Sequence, residues 1–162
     1  MKGLGLSIVT YDAPVLRAVS RPVRRINRTV QQLIDEMIEL MRGEQGIGLA
    51  APQVGELRRV IVVEAENGPV SMVNPRIRER VGSVTALEGC LSLPGILAEV
   101  TRAEKVRVEY LDREGRRSWL DADGLLARAV QHEVDHLNGI LITDRALSLI
   151  ALGVGEGDGR CE

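Results

Sequence analysis

A chain of 162 residues fits one domain with a substantial core, and 44% hydrophobic and 27% charged residues are ordinary for a soluble globular protein. A formal net charge of −2 gives no electrostatic reason for tight binding to a polyanion. Tyr11, Tyr110 and Trp119, with no Phe, are too few for a base-stacking platform, so no direct nucleic-acid binding is expected. No apolar run approaches the roughly 18 residues of a membrane span, and residues 1–6 lack the features of a secretory signal, so no membrane contact and a cytoplasmic location are expected.

Asn27 reads as a helix N-cap, and Val30, Leu33, Ile34, Met37, Ile38 and Met41 follow at helical spacing, with Gly43 as the expected stop. A glycine- and alanine-rich segment, 46–55, comes next, too small in its side chains to be packing filler. Strands are expected at 59–63, 70–73 and 106–111. A turn at 113–116 leads into Ser118-Trp119-Leu120, which pairs with the strand before it. A second helix should start near Asp121 or Asp123, turn Leu125, Leu126, Ala129, Val130, Val134 and Leu137 inward, and stop at Asn138-Gly139. The tail from Gly153 has little to bury and is expected to be disordered. The chain therefore reads as one α+β domain over 1–150 followed by a tail, 151–162.

The chemistry is concentrated in His132-Glu133-Val134-Asp135-His136, inside that second helix. Residues four apart share one helix face, so both imidazoles can reach one metal ion, with Glu133 beside the ion to handle a water's proton. A catalytic site of this kind usually has a third protein ligand, and the chain holds no other histidine. A thiolate or a carboxylate must supply it. Cys90, in Glu88-Gly89-Cys90-Leu91-Ser92, is the candidate; Cys161 could serve only from an ordered tail. In Gly46-Ile47-Gly48-Leu49-Ala50-Ala51-Pro52-Gln53 the glycines would admit an extended peptide to the main chain. Gln53 is either a side-chain donor near the site or an ordinary surface glutamine.

These three segments together, the last read as Gln131 to Gly139, resemble the three signature motifs of the peptide deformylases, in family order, and the likeness runs from about Ile8 through Asp144. The resemblance implies antiparallel strands packed around a central helix that carries the metal motif. It implies Cys90, His132 and His136 as ligands, Glu133 as general acid and base, and Gln53 with the Leu91 N–H as oxyanion donors. Ile47, Gly48 and Gly89 would bind the substrate main chain. Ile47, Leu125 and Leu126 would help wall a methionine pocket. Arg128 and Ala129 fall near pocket positions, the Arg128 stem along the wall and its head in water. Fe²⁺ is the implied metal, with Zn²⁺ or Ni²⁺ as substitutes, although affinity order alone favours zinc over ferrous iron. Nascent formyl-methionyl polypeptides are the implied substrate partners and the ribosome a transient one. The acidic, glycine-rich tail lacks the long basic helix by which some bacterial relatives dock there, which argues against that route. Two rivals remain on the residues alone: a zinc peptidase, which gives no use to the Cys90 segment, and a metal-stabilised binding module, which normally needs four protein ligands.

Overall fold

A computed structural model describes residues 3–153. Helix α1 (Arg28–Gly43) starts at Asn27, whose side chain accepts the Val30 N–H at 3.1 Å. The expected start is therefore met by a true cap. It ends at Gly43, as expected. The chain turns at Gln45, which takes a left-handed φ of 57°, while the Gly46 N–H closes the helix on the Met41 carbonyl. A carbonyl partner in the last turn fixes this end, so the glycine's freedom is not used.

Strands β1 (Gly48–Ala50), β2 (Val60–Ala65), β3 (Gly68–Val81), β6 (Lys105–Leu111) and β7 (Arg117–Asp123) form one antiparallel sheet in the order β1-β2-β3-β6-β7. Strands β4 (Val84–Cys90), β5 (Leu93–Arg102) and β8 (Ser148–Ala151) form a second, in the order β4-β5-β8. This second sheet was not foreseen, because β4 and β5 carry Gly89, Pro94, Gly95 and mixed polarity instead of a clear alternation.

Strand β2 shows why the larger sheet takes a helix on each face. Ile61 and Val63 join the core cluster of α2 (Gly124–Leu137), whereas Val60 and Val62 join the cluster of α1. A strand buried on both sides reads as an unbroken apolar run, which is what Val60-Ile61-Val62-Val63 is. β7 runs into α2 through Asp123, which sits at the N-cap but makes no side-chain cap bond.

Two expectations, one about α2 and one about the tail, need correction. Leu125 is not inward: it is 65% exposed, in the first turn of the helix. Every residue from Ala127 to Leu137, polar ones included, is buried, so that stretch has no solvent stripe. The tail boundary also moves, since Ala151 pairs with Ile96 and the Leu152 N–H donates to the Gly95 carbonyl at 2.7 Å. Packed chain thus continues past 150; residues 154–162, with Cys161 and most of the expected disorder, lie outside the described residues.

Candidate active site

Helix α2 puts His132 and His136 on one face, one turn apart, with their Nε2 atoms 3.2 Å from each other. The end of β4 brings Cys90 alongside, its Sγ 3.4 Å from His136 Nε2. Ligand atoms of these three buried residues all lie within 4.8 Å of one another. One imidazole face is already committed: His132 Nδ1 is 3.0 Å from Glu88 Oε1, which leaves Nε2 to point into the cluster. A carboxylate behind a ligating histidine fixes its tautomer and ring plane.

Glu88 is held in turn. Arg102 contacts it through Nε at 2.5 Å and Nη2 at 2.9 Å, and Arg128 Nη1 at 2.5 Å. Arg102 also reaches Asp135 at 2.9 Å, and Arg145 closes on Asp135 from the other side. Burial alone would raise the Glu88 carboxyl, but the bonds from His132 and Arg102 hold it at about 2. The sequence reading missed this network. Glu88, His132 and Asp135 lie in the motifs, but the pairs span 10 to 44 residues and only the tertiary fold joins them. Arg128 is likewise corrected: its head does not reach water but bonds Glu88 and the carbonyls of Val100 and Val84, at 3.0 and 2.6 Å.

Gln53 belongs to a single 3-10 turn, Ala51–Val54, and is 1% exposed, which removes the surface-glutamine alternative. Its Oε1 accepts the Ala50 N–H at 2.9 Å, so the amide is oriented with Nε2 toward Ser92 Oγ at 3.2 Å and Cys90 Sγ at 3.6 Å. Ser92 is wholly buried and was not singled out from sequence.

Glu133 projects toward Gly48. A Cβ added there would come within 2.7 Å of Glu133 Oε1, so the glycine is what admits the carboxylate. Glu133 Oε2 is buried without a protein partner. Burial pushes its carboxyl up to about 7, with His132 and Arg102 acting the other way. Burial also opposes charge on His132, yet Glu133, Cys90 and Glu88 outweigh it and raise that group to about 10, while burial and His132 push His136 down. A cation held by these groups would displace that proton, linking metal uptake to proton release. A thiolate, two imidazoles and an orphaned buried carboxylate oxygen beside them fit a divalent metal with one open position.

A cavity of about 350 Å³ opens onto Cys90, His132 and Glu133. Ile47, Gly48, Gly89, Leu91, Leu125, Arg128 and Ala129 line it, so most of the expected substrate contacts are brought together. Leu126 is the exception; it packs instead against the core between α2 and the larger sheet. Leu87, Leu97 and Leu152 add an apolar rim that the sequence did not announce.

The polypeptide deformylase family profile matches residues 6–150. The chain belongs to the peptide deformylase family. It is 48% identical over 147 residues to the peptide deformylase of Symbiobacterium thermophilum, covering 89% of this chain and 68% of that one. It is 48% identical over 134 residues to that of Dictyoglomus turgidum, covering 83% and 88%. Among solved structures, the peptide deformylase of Synechococcus elongatus in complex with actinonin superposes with a TM-score of 0.85 at 44% identity, over 91% of this chain and 83% of that one. The Thermotoga maritima peptide deformylase gives 0.85 at 41%, over 88% and 98%. The fold is thus that of the peptide deformylases, an enzyme family of hydrolases.

Proposed function

We propose that this chain removes the formyl group from the N-terminal formyl-methionine of newly synthesised polypeptides, releasing formate and a free amine. The observation that carries the reading is the meeting, at one cavity, of the Cys90/His132/His136 cluster with the unpartnered Glu133 oxygen.

Fe²⁺ is the proposed metal, with Zn²⁺ or Ni²⁺ able to substitute, held by Cys90, His132 and His136. Such an ion supplies Lewis acidity that brings a water's pKa toward neutrality. Glu133 accepts the attacking water's proton at its free oxygen and returns it to the departing amine nitrogen. A buried carboxylate with one unpartnered oxygen beside the cavity is placed to do both. Gln53 Nε2 and the Leu91 N–H donate to the oxygen as the formyl carbon becomes tetrahedral. Ile47, Gly48 and Gly89 offer main chain to the peptide, and a Cβ at Gly89 would meet only Leu97 at 3.4 Å, so its openness is not demanded by packing. Leu125, Ala129 and the Arg128 stem wall the methionine pocket. A formyl carbon bears only hydrogen, so a tight site admits it and rejects acetyl by one methyl.

The cytoplasm is the proposed location and transient contact with the ribosome the proposed setting; among the described residues no helix is long and apolar enough to cross a membrane. The test is formate release from a formyl-Met peptide by iron-loaded protein under anaerobic conditions, beside its acetyl-Met counterpart. Formate from the first and no acetate from the second is expected. Cleavage of internal peptide bonds without formate release would favour the peptidase instead.

A further inference from the structure

Outside the cavity, one feature opposes what the net charge suggests. Arg21, Arg24, Arg25 and Arg28 fall within eight residues, and none makes a side-chain bond or ion pair with another described residue. Most other arginines are paired, including Arg42, Arg78, Arg102, Arg113, Arg117, Arg128 and Arg145. Arg21, Arg24, Arg25 and Arg58 line one open groove of about 470 Å³, none of whose lining residues belongs to the catalytic cavity. Its one carboxylate, Glu56, lies 3.7 Å from Arg58 and leaves the groove with a surplus of positive charge.

The backbone beneath these arginines is fixed. The Arg21 N–H donates to the Leu57 carbonyl at 3.0 Å and the Arg59 N–H to the Arg21 carbonyl at 2.9 Å, tying the two banks together. Asn74, held at a left-handed φ of 51° in an irregular stretch of β3, grips Val23 by both its N–H and its carbonyl at 2.8 Å. Asn27 then caps α1. The heads are free while their bases are anchored, an arrangement that loses little order on meeting a partner. The first turn of α1 holds no acid and opens with Arg28, so the helix end adds to the same field without being the site. Unopposed like charges work against folding. An anionic partner removes that cost.

We propose that this groove is a docking surface for the phosphodiester backbone of RNA. Guanidinium forks suit phosphate oxygens, and binding to phosphates needs neither aromatic platforms nor base readout. A membrane surface fits less well: none of the groove's apolar residues is a large exposed side chain that could insert into lipid. The net charge of −2 is an average over the chain that hides this face. The inference does not rest on the deformylase reading, though nascent polypeptides, the proposed substrates, leave an RNA-rich assembly.

The test uses the full chain and a fluorescein-labelled RNA of about 20 nucleotides, with binding followed by anisotropy from about 50 to about 200 mM salt. Wild type should bind with an affinity that falls steeply with salt. The variant R21Q/R24Q/R25Q/R28Q should bind at least about tenfold more weakly, with the log–log salt slope reduced by about 0.7 for each phosphate no longer neutralised. Formate release from a short formyl-Met peptide should be unchanged in that variant. A control, R116Q/R117Q, removes two exposed arginines, one in the turn before β7 and one at its first residue, and should bind RNA as wild type does. Should the fourfold variant fail the thermal melt, R24Q/R25Q is read alone, with a proportionate loss expected. Equal weakening of cluster and control variants overturns the proposal. So does absence of RNA binding by wild type, whether or not it binds phosphatidylserine vesicles.

Discussion

Helices α1 and α2 lie on opposite faces of β2, and they are held there by different physics. α1 buries Val30, Leu33, Ile34, Met37 and Met41 and keeps polar residues outside, an amphipathic pattern whose stability comes from apolar burial. α2 buries Arg128, Gln131, His132, Glu133, Asp135 and His136 as well as its apolar residues, and most of these polar groups take partners from other elements. Burying ionised groups is costly and often no better for stability than an apolar core. What it provides here is orientation: Arg145, Asp135, Arg102 and Glu88 form a continuous chain ending on His132 Nδ1. One helix is architecture; the other is a mount for chemistry.

Substitutions on the two sides should separate cleanly. The largest effect is expected at Cys90. Cys90→Ser should lose both bound metal and turnover, because a hydroxyl is a poor substitute for a thiolate ligand. Cys161→Ser should change neither. Elemental analysis and formate release on both proteins decide it, and metal loss confined to the Cys161 variant would break the assignment. Glu133→Gln comes next: metal content retained, with kcat down at least about a hundredfold. A metal-loaded Glu133→Gln protein with near-normal kcat would remove the acid/base role.

The ion network predicts a pH response. Glu88 sits at about 2 when folded and near 4.5 when unfolded, so its contribution is present above about 4.5 and is lost as pH falls toward 2. That lowering corresponds to on the order of 3 kcal/mol. In wild type, denaturant midpoints should fall steeply across that window. Glu88→Gln should be less stable at neutral pH and should flatten the fall, and an unchanged acid profile would show that the network holds little of the fold. On the other face, Leu33→Ala should cost roughly 2–5 kcal/mol, yet leave kcat intact at temperatures where the protein stays folded. The smallest effect is Asn27→Ala, about 1 kcal/mol from loss of the cap bond. Reduced kcat in either α1 variant, measured while folded, would blur the contrast.

Much of this was legible in the residues alone. Helical spacing marked out α1 almost to the residue, and the i, i+4 histidines announced one face and one ion. Cys90 followed from the count of histidines, and family resemblance added Gln53 and Leu91. Periodicity could not find β4, β5 and β8, because strands with glycine and mixed polarity carry no alternation, nor could it tell that Leu125 is exposed and Leu126 packed. The end of α1 fell at Gly43 as the sequence suggested, but a backbone bond from Gly46, and not the glycine's own freedom, fixes it.

What the sequence determined by itself is therefore the local kind of information: which stretches coil, which residue types can ligate, and in what spacing. The tertiary structure alone decided which partners meet. Glu88 joins His132 across 44 residues and Arg128 across 40, and Gln53 joins Cys90 across 37. Such pairings depend on strand order and register, which no window of neighbouring residues encodes. The Arg128 head turned inward for the same reason: a carboxylate and two carbonyls were waiting on β4 and β5, and a buried guanidinium goes where its donors are met.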